Sequence, residues 1–200
     1  MATLPETSYK KATQALNFLA QKKDGQINKM KAIKLIYLAD KLHLRKYGRP
    51  IVGDLYWAMK LGPVGSRTKR AAELDLPTEL LSYTKKYIRP GDEKKQFFVS
   101  LKPADLELFS KTDLECLEII YKNFGDKDQF ELATLTHQYP EWKKHKKELE
   151  SGKKRVEMNY RDFFAEAGKT DPVFGQKKIN LALAKESFNE LEEVSAFFAG

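Results

Sequence analysis

Cysteine is nearly absent from this sequence. Cys116 stands alone, which excludes an intramolecular disulfide and any zinc knuckle built on paired cysteines. It falls among Leu114, Leu117, Ile119 and Ile120 in a helical pattern, the setting of a small buried hydrophobe rather than of a nucleophile. No apolar run approaches the length that crosses a bilayer, so no membrane partner is expected. The N-terminus, MATLPETSYKK, has no apolar h-region and no small-residue cleavage site, and a cytoplasmic location is expected. Internal repeats and low-complexity linkers are missing too, so 200 residues are expected to form one domain, or one domain with an appendage.

What the chain has in quantity is charge. Thirty-six Lys and Arg against 28 Asp and Glu give a formal charge of +8, which favours acidic partners without naming one. Lys143 to Arg155 alone holds six Lys, one Arg and one His against Glu148 and Glu150. That run lacks interleaved aromatics and any groove-reading motif, so it reads as a solvated helix face.

Asn28 to Ser66 organises the rest. Asn28 is placed to cap a helix of about twenty residues, and Gly48 with Pro50 ends it. Met30, Ala32, Ile33, Leu35, Ile36, Tyr37, Ala39, Leu42, Leu44 and Tyr47 cover most of its circumference, which predicts a buried central helix with Lys31, Lys34, Lys41 and Arg45 as its wet stripe. Asp40 and His43 lie three residues apart on the apolar side. A carboxylate there needs hydrogen bonds, and the favoured reading is an internal polar network, with Asp54 and His137 as further members, that pins the turns after Gly48. Two local side chains are too few for a metal site. After Gly62, Pro63 is expected to open a short helix whose free N–H groups attract an anion.

Ser8 to Lys22 reads as an amphipathic helix. Around Pro90-Gly91-Asp92-Glu93 a β-hairpin is expected, with Phe97, Val99 and Leu101 on one face. Thr112 to Glu115 and Asp128 to Glu131 resemble helix starts, and Pro140 suits the first turn of another helix. A further helix is expected over 159 to 167. Ile179 to Phe198 predicts a locally acidic final helix with Leu183, Leu191, Val194, Phe197 and Phe198 as its apolar positions. The fold class is mainly α (α+β): a compact helical domain around a buried central helix, with a small β-hairpin.

The run Lys34-Leu35-Ile36-Tyr37-Leu38-Ala39-Asp40-Lys41-Leu42-His43-Leu44, followed by Tyr47-Gly48-Arg49-Pro50-Ile51, Gly53-Asp54, Tyr56, Ala58 and Gly62-Pro63-Val64, resembles the signature of the SocA-like family, the Panacea antitoxin domain, also found on phage-associated proteins. Leu135-Thr136-His137 with Pro140 and Trp142 is similar to its second, weaker motif. The resemblance spans roughly residues 10 to 165 and implies a domain over 1–168, with 169–200 as a helical extension. It implies a cognate toxin as protein partner, a AAA+ protease to which the toxin is delivered, and neither catalysis nor cofactor. No nucleophile–base pair, phosphate-cradling loop or metal cluster is legible, in keeping with that. A DNA-binding regulator ranks second, since no helix-turn-helix spacing is present; a hydrolase built on Asp40, His43, Asp54 and His137 ranks third. Residues left for partner contact beside the turns are Tyr47, Arg49, Trp57, Lys60, Gly62, Pro63, Val64 and Trp142.

Overall fold

Asn28 is the last residue of a short strand and the first cap of the central helix: its side chain accepts from the Lys31 amide, 3.1 Å away. In the computed structural model, which describes residues 5–166 and 172–199, that helix is α2 (Lys29–Tyr47), preceded by α1 (Pro5–Lys22) and β1 (Gln26–Asn28). Then follow β2 (Tyr56–Met59), β3 (Gly62–Gly65), α3 (Ser66–Glu73), α4 (Thr78–Lys85), β4 (Ile88–Pro90) and β5 (Phe97–Ser100). A 3-10 turn (Leu106–Leu108) leads to α5 (Lys111–Phe124), α6 (Gln129–Thr136), α7 (Pro140–Lys143), α8 (Lys146–Glu150), β6 (Arg155–Glu157), a 3-10 segment (Tyr160–Phe164) and α9 (Lys178–Ala199). The chain is 59% helical, so the mainly α expectation holds.

α2 is wrapped by α1, α5, α6, α9 and β3. Every residue from Lys31 to Arg45 is buried, and the expected wet stripe therefore does not exist. Gly48 ends the helix in the left-handed conformation, φ 70°. Any side chain there would collide with α9, because a Cβ would lie 2.5 Å from the Ala184 carbonyl and 2.8 Å from Ser187 Cβ.

The strands make two three-stranded antiparallel sheets, in the orders β1-β5-β4 and β3-β2-β6. The expected hairpin is β4–β5, but its phase is reversed. β1 places Ile27 opposite Phe98 and α1 packs on the same side, so Phe98 is buried while Phe97 and Leu101 stay exposed. The segment around Pro63 is strand β3 rather than a helix start; α3 begins at Ser66. The α5 cap is Ser110, with Asp113 closing the capping box, two residues ahead of the expected one. Asp128 and Glu131 form the second box.

Residues 160–164 are 3-10 rather than α-helical, and the expected continuation to 167, like the domain boundary at 168, lies outside the described residues. α9 packs on α2 and the 3-10 segment through Ala184 and Phe188. Of its apolar positions, Leu183 is 56% exposed and Phe197 81%, and Leu191 and Val194 are exposed as well, while the side chain of Phe198 lies outside the described residues.

Candidate functional site

α2 carries four cations into the core, and each takes oxygen from a different neighbour. Lys31 Nζ donates to the Gly125 carbonyl at 2.5 Å, where a cation meets the C-terminal end of α5. Lys34 Nζ donates to the Pro63 carbonyl of β3 at 2.8 Å; burial brings its pKa down to about 7. Lys41 reaches Glu141 of α7 at 2.5 Å, both side chains wholly buried, and lies 4.0 Å over the Tyr139 ring. The Tyr37 hydroxyl donates to the same carboxylate oxygen. Arg45 donates to the carbonyls of Phe163, Ala165 and Phe174 at 2.7–3.0 Å, tying down the chain on both sides of the undescribed segment. A buried cation without such a partner would cost several kcal/mol, on the order of the whole domain's stability.

The acidic members of the same region are equally occupied. Asp40 accepts from the amides of Ile51 and Val52 and from the Tyr56 hydroxyl, all at 2.9 Å. Burial raises its carboxyl to about 7 against the opposing pull of these donors. Asp54 takes the Leu55 and Arg67 amides on one oxygen and the Thr68 amide and hydroxyl on the other, at 2.6–2.8 Å. It thus supplies the anion expected at the α3 N-terminus from within the chain.

His43 Nδ1 donates to the Arg49 carbonyl at 2.7 Å, and Nε2 lies 3.0 Å from both Thr112 Oγ1 and Asp113 Oδ1. Burial works to raise the Asp113 carboxyl, but His43, the Ser110 amide, Lys11 and Arg49 outweigh it and hold it well below the ordinary range. Asp40 and His43 therefore serve two different anchors: one pins residues 51–56, the other joins the end of α2 to the start of α5. His137 meets neither. Its ring stacks on Trp142 with centroids 3.8 Å apart, beside the Lys60 main chain. Burial and then the Lys34 charge lower its pKa.

Of the residues expected to face a partner, Lys60 is exposed, Tyr47 is 36% exposed, and Arg49, Trp57 and Val64 are half-buried. Gly62, Pro63 and Trp142 are buried. The reason is local. A Cβ on Gly62 would sit 2.5 Å from Thr136 Oγ1 and 3.1 Å from Lys34 Nζ, and Trp142 Nε1 donates to the Met59 carbonyl at 3.0 Å. Trp57, Met59 and Val64 form the outer face of the β3-β2-β6 sheet. Arg155, which has no place in the sequence motif, lies 4.4 Å over the Trp57 ring. Glu141 was equally hidden in the sequence; the signal that points to it is the lysine set on an otherwise apolar helix, which demands buried acceptors.

The family model described as Antitoxin SocA-like, Panacea domain, matches residues 33–143. No curated protein and no solved structure matches the chain. The match begins inside α2 and ends with α7, so it takes in Lys34, Asp40, Lys41, His43, Asp54, His137 and Glu141 together. Covering more than half of the chain, it establishes that this protein belongs to the SocA-like, Panacea-domain antitoxin family.

Proposed function

We propose that the protein is an antitoxin that neutralises a cognate toxin by direct, stoichiometric contact and performs no chemistry of its own. The observation that carries this reading is the internal occupation of Asp40, His43 and Asp54, whose hydrogen bonds go to the chain's own turns and helix starts. Such groups position a scaffold and leave no free acid or base for a substrate. The family description supports the antitoxin role. A DNA-binding role draws less support, because four of the cations counted in the net charge are buried in α2.

The toxin contact lies on α9, outside the matched 33–143, where a partner-specific surface is expected. Ile179, Leu183 and Val194 lie within about 60° of one another on the helix and are 67%, 56% and 48% exposed. The extension 169–200 is thus the toxin-specific unit of a cytoplasmic protein, and delivery of the captured toxin to a AAA+ protease is the natural sequel.

Co-expression with the product of the adjacent gene tests this. Rescue of growth and a stoichiometric complex are expected, with both lost in an Ile179→Ser, Leu183→Ser, Val194→Ser variant that still melts like wild type. Full neutralisation by that variant would move the contact elsewhere; a non-toxic neighbour that forms no complex would end the antitoxin reading.

A further inference from the structure

The two edges of the β3-β2-β6 sheet are treated in opposite ways. At the β3 edge Pro63 has no N–H to offer, and its carbonyl is taken by Lys34. That edge is closed. At the β6 edge, Met158 N donates to the Tyr56 carbonyl, and this parity turns the amides and carbonyls of Arg155 and Glu157 away from β2. Both residues are exposed, and among the described residues no hydrogen-bonding group meets those outward main-chain atoms. An edge with free donors and acceptors at strand spacing is a template for another extended chain.

The charge around this edge is one-sided at its N-terminal end. Lys154 and Arg155 lead into the strand, and Lys60 stands at the tip of the neighbouring β2–β3 turn, all three exposed. Lys60 and Lys154 have no ion pair among the described residues, and Arg155 is engaged with the face of Trp57. At the other end Glu157 and Glu192 line a cleft of about 410 Å³, which stops a long acidic run from continuing past the strand.

We propose that β6 accepts a short, extended, acidic segment of another protein as a fourth strand of this sheet, with its carboxylates over Lys60, Lys154 and Arg155. The open main-chain edge favours a polypeptide over a nucleic acid. So does the single aromatic on the face, Trp57, which offers little for bases to stack on, and a phosphate backbone has no strand with which to pair. This surface is separate from the outward side of α9 and does not depend on the antitoxin reading.

The test uses the full chain and a fluorescent peptide of alternating Glu and Val, with a Lys/Val peptide and a short DNA duplex as comparisons. Saturable binding of the Glu/Val peptide alone is expected, with new protection of the Arg155 and Glu157 amides against hydrogen exchange. Glu157→Pro removes an outward donor without touching the β2 ladder, and Lys154→Glu with Arg155→Glu reverses the charge. Each should weaken binding by at least about tenfold while the melting temperature stays within a few degrees of wild type. Unchanged affinity in both variants, binding of the Lys/Val peptide as strong as that of Glu/Val, or preference for the duplex would each overturn the proposal. If Glu157→Pro unfolds the chain, the charge-reversed variant and the amide protection decide it.

Discussion

α2 and α9 invert the usual rule for helices in opposite directions. α2 buries four cations, a carboxylate and a histidine; α9 exposes Ile179, Leu183 and Val194 while docking through Ala184 and Phe188, with Leu181 partly buried beside them. In α2 polar groups are spent on holding the fold, and along the outward side of α9 apolar groups are left at the surface. Charge here is architectural and hydrophobicity is available for recognition.

The sharpest way to break this contrast is at the buried ion pair. Glu141→Ala leaves Lys41 enclosed without its carboxylate and should cost about 3–5 kcal/mol, read from the midpoint of urea unfolding. If stability changed by under about 1 kcal/mol, charge in α2 would not be architectural. Next is Gly48→Ala, which strains a left-handed residue and drives a methyl into Ala184 and Ser187 of α9. A loss of about 2–3 kcal/mol is expected, with early proteolytic release of α9, since the clash falls on that contact.

pH gives a finer probe. Asp40 titrates near 7 in the folded chain, above its ordinary value near 4, so the folded state holds this proton more tightly. Its contribution is greatest below about pH 4 and is lost as pH rises through about 7. The destabilisation caused by Asp40→Asn should therefore shrink over that interval. Lys34 is displaced the other way, to about 7 from 10.5, so the folded state gives up its proton early and gains stability as pH rises from about 7 towards 10.5. Lys34→Met should abolish that gain, and melting curves at pH 5, 7 and 9 report both trends. The smallest effect on stability belongs to the other half of the comparison: serine at 179, 183 or 194 should change it by no more than about 0.5 kcal/mol each, although the three together should abolish the complex proposed above.

How much of this was legible depends on where each group finds its partner. The ends of α2 were readable because Asn28 and Gly48 act through atoms within four residues. The fate of its cations was not, because Lys31, Lys41 and Arg45 are satisfied 94, 100 and up to 129 residues away. A stripe of lysines looks wet until those acceptors are known. β1 and β6 have three residues each, too few for alternation to register, and their absence from the reading also reversed the expected phase of Phe97 and Phe98. For α9, both sides carry apolar residues; the docked one was chosen by a bare glycine on another helix, which periodicity cannot weigh. The Asp40 carboxylate was found by cost alone, since a charge at an apolar position has to be answered; Asp54 was marked only by its place in the family-like run. His137 was grouped with them by its motif and sits elsewhere, on Trp142.

The Arg45 clasp also carries a clock. Its acceptors at Phe163 and Phe174 are made long after α2 itself, and at about 5–20 residues per second the ribosome needs on the order of ten seconds to add the intervening chain. Until then the central helix holds cations whose oxygens do not yet exist, so α2 cannot close its core while the chain is growing. A newly made molecule therefore completes its core only after residue 174 has been added, well after the central helix itself has been made.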